Sequence, residues 1–266
     1  MSSSARLAGV ADLPAALRRI AESAGVAILD VYEGRVALDT RRKADRSPVT
    51  AADDAAEAVI LAALHELTPD IPVVSEEAAE AGIIPDVSGG RFWLVDPLDG
   101  TKEFLSRNGE FTVNIALIED GCPTAGVVHA PALKKTWMGA GIDTACYAEG
   151  DQPPVPIRTR SQPTAGAVVV ASRRHGDAEA MDRFLAGTRV GTRVDAGSSL
   201  KFCLVASGQA DIYPRFGRTM EWDTAAGHAV LLAAGGCVER ADDGAPLTYG
   251  KAGFENPHFI ARGRRP

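Results

Sequence analysis

The chain is 266 residues long, 45% hydrophobic and 24% charged. That balance fits a globular protein with one core or two tightly packed halves. Lys and Arg number 28 against 35 Asp and Glu, a net charge of −7, which argues against a broad nucleic-acid footprint, because backbone phosphates need a basic surface. An acidic chain that handles a small anion must concentrate positive charge locally or use metal ions. The four cysteines, Cys122, Cys146, Cys203 and Cys237, are far apart and form no C-x-x-C pair, so a zinc cluster or disulfide framework is a poor reading. Isolated cysteines suit a reducing compartment. Met1 to Val10 has no long apolar stretch and no run has the length of a membrane span. The cytoplasm is therefore the expected location, with Met1 to Ser4 as a frayed end.

In chain order, Asp12 to Tyr32 reads as a helix, with Leu13, Leu17, Ile20, Ala24, Ile28 and Val31 on one stripe. Asp12 can cap it and Pro14 is tolerated in its first turn. Arg41 to Val49 reads as a loop or short hairpin arm. Thr50 opens a second helix to about Leu67, with Thr50 and Asp53 in capping-box spacing. Ile71 to Ser75 and Arg91 to Val95 read as short strands, the second closed by Asp96 and Pro97, with Ala81 to Gly90 as a loop between. Phe111 to Glu119 and Ala125 to Ala130 look like antiparallel neighbours around Asp120-Gly121, and Thr136 to Ala148 continues the sheet pattern. Gly150 to Pro163 is rich in Pro and polar residues and marks the expected boundary between halves, 1–150 and 151–266.

Beyond it, Ala167 to Ala171 reads as a strand and Asp177 to Leu185 as a helix stopped by Gly187. Ser198 to Ser207 reads as a serine-capped helix with Gly208 past its end. Ala210 to Pro214 is a strand, and Asp223 to Ala234 a helix that stops at Gly235-Gly236. No internal repeat or low-complexity tract stands out.

The sharpest chemical feature is Trp93-Leu94-Val95-Asp96-Pro97-Leu98-Asp99-Gly100-Thr101. An apolar strand delivers two aspartates into a turn, followed by a probable-looking helix start at Gly100-Thr101, where amides can hold a phosphate. Two carboxylates on one turn can share hard cations, which prefer oxygen ligands. A bare D-x-x-D would read as a solvated turn with a helix cap; the apolar strand in front reverses that balance. Glu76 and Glu77 at a strand end read either as a further carboxylate or as exposed acids. Asp223 reads as a helix N-cap and Asp53 as a capping-box partner; none of these three positions decides alone.

Taken together and in order, Val74-Ser75-Glu76-Glu77, Asp96-Pro97-Leu98-Asp99-Gly100-Thr101 and Trp222-Asp223-Thr224-Ala225-Ala226-Gly227 resemble the inositol monophosphatase superfamily. Within it the chain is similar to the bacterial 3'(2'),5'-bisphosphate nucleotidases of sulfate assimilation. Supporting stretches are Ser47 to Asp53, Asp99 to Phe104, Asn108 to Leu117, Gly197 to Ala206 and Tyr213 to Gly217. The likeness spans nearly the whole chain after the first ten residues.

The resemblance implies an α/β (α+β layered) fold, an αβαβα sandwich of the inositol monophosphatase / fructose-1,6-bisphosphatase type, with the site between the halves. It implies Mg²⁺ as cofactor: one ion on Glu76, Asp96 and the Leu98 carbonyl, a second on Asp96, Asp99 and Asp223, and room for a third arriving with substrate. Thr101 and Asp53 would orient and deprotonate the attacking water, and the Gly100 and Thr101 amides would grip the phosphate. A two-metal displacement of this kind needs no covalent phosphoenzyme. Glu76, Leu98, Asp99 and Asp223 would thereby also border the substrate. Ser172, His175, Gly197 and Lys201 match positions that contact the nucleotide. Close relatives tend to carry a Ser where Arg174 stands, a departure that implies a different pocket edge here.

The implied reaction is hydrolysis of adenosine 3',5'-bisphosphate to AMP and phosphate, with sensitivity to Li⁺. The partner would be a small nucleotide bisphosphate, not a nucleic acid; no integral membrane segment is expected. An oligomer and a peripheral position at the inner face of the cell membrane are left open. The nearest alternative is an inositol or sugar monophosphatase. The Gly197 to Lys201 string favours the nucleotidase, since a lysine there offers a cation to an extra phosphate. A non-catalytic metal- or nucleotide-binding protein would lack one of the carboxylates or Thr101, and all are present. A dinucleotide-binding oxidoreductase lacks support, because no G-x-G-x-x-G follows an early strand.

Overall fold

The structure is a computed structural model that describes residues 12–35, 41–42, 48–49, 51–172 and 177–264. The fourteen strands and seven α-helices of the described residues fall into two sheets, a two-stranded arm and three helical layers.

The first helix, α1 (Leu13–Tyr32), begins as its sequence dictates: the Asp12 carboxylate accepts from the Ala15 amide, and the stripe from Leu13 to Val31 is buried. Its partner α2 (Ala51–Leu67) buries Ala52, Asp53, Ala56, Ile60 and Leu64. Between them β1 (Arg41–Arg42) pairs antiparallel with β2 (Pro48–Val49), which makes the segment a hairpin arm. Thr50, the expected cap of α2, lies outside the described residues.

The larger sheet contains β3 (Val73–Ser75), β4 (Arg91–Asp99), β5 (Thr112–Glu119), β6 (Cys122–Ala130), β7 (Lys135–Ala140), β8 (Cys146–Glu149) and β9 (Val155–Pro156), hydrogen-bonded in that order. Only the β3–β4 pair is parallel. Asp96 and Pro97 do not close β4 as expected. Asp96 pairs with Asn114, the register slips, and pairing resumes at Asp99 opposite Thr112. Pro97 has no amide to give the ladder, so the chain bulges there instead of stopping. Short helices follow both strand ends: α3 (Glu76–Glu80) after β3, unforeseen in the sequence, and α4 (Thr101–Leu105) after β4.

The second sheet runs in the order β11 (Val190–Asp195), β10 (Ala167–Ala171), β12 (Ile212–Arg215), β14 (Phe259–Arg262), β13 (Cys237–Arg240). The sequence showed β10 and β12 but not β11, β13 or β14. All six residues of β11 are exposed, so it carries no apolar run, and it forms only because it is parallel to β10 at the sheet edge. Helix α5 (Ala178–Ala186) is capped by Asp177, with Gly187 after it. Helix α6 (Leu200–Ala206) starts later than expected, and Ser199 stands at its cap position without bonding the helix amides. Helix α7 (Ala225–Ala233) likewise starts after Asp223, with Thr224 in the cap position.

These elements stack in five layers. Helices α1 and α2 cover one face of the large sheet, burying Trp93, Val95, Ile115 and Val127. Helices α6 and α7 fill the space between the sheets, where Phe202, Val205, Val230 and Leu231 meet Leu94, Val128 and Phe259. Helix α5 lies on the outer face of the second sheet against Val169, Ile212 and Ile260. The αβαβα layering expected from the resemblance is thus present. The central interface is close: a Cβ on Gly126 or Gly139 would stand 2.8 Å from the Ala229 Cβ or 2.5 Å from the Ala233 Cβ. No helix among the described residues is long and apolar enough to cross a membrane.

Candidate active site

The parallel strands decide where chemistry collects. β3 and β4 run in parallel and lead into Glu76 and the Asp96–Asp99 bulge. In the other sheet β10, β11 and β12 are parallel, and lead into Ser172, the 196–199 loop and Arg215. Loops at the carboxyl ends of parallel strands are the usual place for a ligand site. The two sets meet in a cavity of about 310 Å³.

Asp53, Glu76, Asp99, Gly100, Thr101, Ser172, Gly197, Lys201 and Asp223 all line this cavity. Asp96 and Leu98 are buried and do not form part of its lining. His175, together with Arg173 and Arg174, lies outside the described residues. The lining also includes Glu77, which the sequence left as either a further carboxylate or an exposed acid, and Glu103, Arg215, Arg218 and Thr219, which received no role from the sequence. The signals for them were that Glu103 fell inside the Asp99 to Phe104 string and Arg215 inside the Tyr213 to Gly217 string.

Local packing explains how each carboxylate is held. The buried Ser75 hydroxyl donates to Glu57 of α2, whose carboxylate also accepts the Ala78 amide at 3.3 Å; this pins α3, and with it Glu76, to α2. The Asp96 carboxylate accepts the Leu98 amide at 3.1 Å and so closes the bulge on itself. Gly100 has φ 94°, and a Cβ there would lie 2.1 Å from the Ser198 Oγ. Only glycine can make this turn beside that neighbour. The Ser198 hydroxyl reaches the carbonyls of Asp99 at 2.9 Å and Glu110 at 2.7 Å, joining the two sets of loops. Asn114 donates to Asp99 at 3.4 Å and to the Ser199 hydroxyl at 3.1 Å, and that hydroxyl donates to the Asp223 carbonyl at 2.7 Å.

Two expected helix caps are replaced by tertiary roles. The Asp223 carboxylate accepts the upstream Met220 amide at 2.9 Å, not an amide of α7. Ser198, the expected serine cap, spends its hydroxyl on the Asp99 and Glu110 carbonyls. Asp53 is buried at 4% exposure and faces the cavity, so it is not a solvent-facing first-turn acid.

The cavity gathers charges of both signs. Asp96 is pushed well above the ordinary carboxylate range, first by burial and then by Glu76, Asp99, Asp223 and Asp53. Burial also raises Asp99, against the pull of Lys201, and raises Asp223, with Asp99 adding to the effect. Carboxylates that raise one another are close enough to feel each other's charge. Lys201, Arg215 and Arg218 line the same cavity, and Lys201 acts on Asp99 while Arg215 and Arg218 act on Asp223. Burial lowers Lys201 to about 8. Two of its three donors go to the Ala196 carbonyl at 3.4 Å and the Ser198 carbonyl, so it supports the loop it borders. Arg215 gives one terminal N–H to the Arg218 carbonyl at 2.8 Å, while its buried Nε has no hydrogen-bond partner. Gly197 approaches Glu103 and Glu110 so closely that a Cβ would stand 2.8 Å from the Glu103 Cγ, and its amide donates to Glu110 at 2.7 Å.

The donor set suits a hard cation by its chemistry: it is all oxygen, and its negative charges are buried and mutually repelling. Among the described residues no group of three or more His, Cys, Asp or Glu side chains is already arranged to hold a metal ion.

The sequence matches the inositol monophosphatase family over residues 11–262, and the chain belongs to that family. Within it, the chain is 50% identical over 242 residues to the 3'(2'),5'-bisphosphate nucleotidase CysQ of Salmonella typhimurium, covering 91% of this chain and 96% of that one. It is 49% identical, with the same coverage, to CysQ of Escherichia coli. Among solved structures it is similar to CysQ from Bacteroides thetaiotaomicron, with a TM-score of 0.77 and 38% identity over 95% of this chain and 97% of that one. An inositol monophosphatase from Zymomonas mobilis superposes with a TM-score of 0.74 at 26% identity, covering 94% and 91%. The superfamily and subfamily resemblances read from the three motif strings agree with these relatives.

Proposed function

We propose that the chain is a Mg²⁺-dependent 3'(2'),5'-bisphosphate nucleotidase that hydrolyses adenosine 3',5'-bisphosphate to AMP and phosphate. The observation that carries this reading is that one cavity is lined both by carboxylates, among them Asp53, Glu76, Asp99 and Asp223, and by the cations Lys201, Arg215 and Arg218. A monophosphate needs only the first; a bisphosphate uses both. Glu76, Asp96, the Leu98 carbonyl, Asp99 and Asp223 are the residues that would hold two ions, with a third arriving with substrate. When bound, Mg²⁺ supplies Lewis-acid activation of water and neutralises charge on the phosphate.

The chain's own residues do the rest. Thr101 and Asp53 border the same cavity, where the threonine hydroxyl orients the attacking water and the Asp53 carboxylate takes its proton. The water oxygen bonds to the 3'-phosphorus, the P–O3' bond breaks, and the ribose oxygen takes up a proton. The turn at Gly100 and Thr101 supports the cleaved phosphate. Arg215 and Arg218 face the position of the second phosphate, with Lys201 holding the loop between them and Gly197. The resemblance gives Ser172 and His175 to the nucleoside, and Ser172 lines the cavity. We read the chain as two halves, 1–150 and 151–266, and place it in the cytoplasm on the strength of cysteines that form no disulfide.

A phosphate-release assay with Mg²⁺ across adenosine 3',5'-bisphosphate, its 2',5' isomer, its sulfated analogue and inositol 1-phosphate tests the reading. The expected result is fastest turnover on a bisphosphorylated nucleotide. Faster turnover of inositol 1-phosphate would replace it with the monophosphatase alternative, and no turnover of any of them would sink both.

A further inference from the structure

Asp223 reaches the cavity from a loop, 219–224, that is bonded internally through Met220 and Thr224 and to Ser199, and that takes a further set of bonds from residues 249–256. The Asn256 amide group donates to the Met220 carbonyl at 2.8 Å and to the Thr224 hydroxyl at 2.9 Å, and its backbone N–H donates to the Thr219 carbonyl at 2.9 Å. The Glu221 N–H donates to the Phe254 carbonyl at 2.8 Å. In return the Glu221 carboxylate, fully buried, accepts the amides of Gly250 at 2.7 Å and Lys251 at 3.0 Å and pairs with the Lys251 ammonium at 2.6 Å. That ammonium also donates to the Asn256 side-chain carbonyl at 3.2 Å.

The other end of the same segment rests on the first sheet. The Tyr249 amide donates at 3.0 Å to the carbonyl of Gly121, in the turn between β5 and β6. Gly250 lies against Phe92 of β4, the strand that carries Asp96 and Asp99. One short segment therefore bonds the Asp223 loop at Thr219, Met220, Glu221 and Thr224 and bears on the sheet that holds the other carboxylates. A buried ion pair such as Glu221–Lys251 is weak evidence for stability, since apolar side chains of similar size often do as well. What it supplies here is a defined position.

We propose that residues 249–256 act as a strut that sets the placement of Asp223 relative to the Asp96–Asp99 bulge, with Asn256, Lys251 and Glu221 as positioning residues for cation binding. The proposal rests on the reading of Asp223 as a cation ligand. Partners that orient metal ligands commonly change metal affinity by about 10- to 100-fold when removed, and the strut is expected to act at the lower end of that range.

The test is direct Mn²⁺ binding to the full chain without substrate, read from the electron paramagnetic resonance of free Mn²⁺, well below each variant's unfolding temperature. Asn256→Ala and Lys251→Met should each weaken binding by about tenfold, and Lys251→Arg should restore most of it. Asp223→Asn is measured alongside. If Asp223→Asn weakens binding while folded Asn256→Ala and Lys251→Met bind as wild type, the strut is wrong and the ligand reading stands. If Asp223→Asn also binds as wild type, both readings fall together. Should Asn256→Ala not fold, the half-buried Lys251 variants decide the matter.

Discussion

The two sheets present the same kind of strand-end loops to the cavity but are built to different standards. The seven-stranded sheet is sandwiched between helices, and β4 and β5 are buried along almost their whole length. The five-stranded sheet is covered on its outer face by α5, a helix with no fully buried residue, and ends in the exposed strand β11. The first sheet can therefore hold several carboxylates against their mutual repulsion. Lys201, Arg215 and Arg218 come to the same cavity from the second half. The lesson is that a group of mutually repelling carboxylates is placed on the better-buried of the two frames.

The largest expected effect is at Asp96. Asp96→Asn should lower kcat by about 10³-fold, the upper range for loss of a preorganised electrostatic group. Without Mg²⁺ it should also raise the unfolding temperature by about 3 °C, because it removes a buried charge that Glu76, Asp99 and Asp223 oppose. Initial rates and thermal unfolding of one preparation measure both; a drop in stability together with wild-type activity would contradict the picture of a strained carboxylate cluster.

The contrast in frame stiffness can be broken by truncation. Ile115→Ala in the core of β5 should cost about 3 kcal/mol, the usual range for a buried aliphatic side chain. Val194→Ala, 38% exposed on β11, should change stability by less than about 0.5 kcal/mol. Urea unfolding of both variants checks this, and equal losses would mean that the edge strand is as well supported as the core.

The cationic lining can be sharpened with paired variants. Arg215→Ala should lower kcat/KM for the bisphosphate by about ten- to a hundredfold, the worth of one charge-assisted hydrogen bond, and barely touch a monophosphate. Lys201→Ala should lower both alike, because its ammonium is bonded to the Ala196 and Ser198 carbonyls. Selective loss in Lys201→Ala would return to the lysine the role its position in the sequence suggested.

The last effect is a dependence on pH with one source in the first sheet and one in the central helices. Burial lowers His129 of β6 to about 4 and His228 of α7 to about 3. The unfolded chain then binds protons that the folded chain refuses, so stability is complete above about pH 6.5 and falls as pH drops towards these values. Each histidine adds a slope of up to about 1.4 kcal/mol per pH unit. Denaturant unfolding between pH 7.5 and 5 should show the decline, and His228→Asn should flatten it; an unchanged slope in that variant would exclude His228 as a source.

The elements best read from the sequence were those whose reason for forming is local. The stripe and cap of α1, the turn at Asp120-Gly121 and the Gly stop after α7 need only their own residues. The motif strings around Glu76, Asp96–Asp99 and Asp223 also named most of the cavity's acidic lining, because strand ends and charged turns are written contiguously. Tertiary structure alone decided the rest. It turned Asp223 and Ser198 from helix caps into partners of Met220 and of the Asp99 and Glu110 carbonyls, since a carboxylate or hydroxyl bonds whichever partner the packed chain brings near. It made β11 a strand through pairing with β10 and no apolar pattern of its own. It tied Lys201 to backbone carbonyls and brought Arg215 to the cavity from a strand end fourteen residues later in number only by stacking the sheets. Local signals set what each segment can form; which charges face one another depends on long-range packing that no single segment encodes.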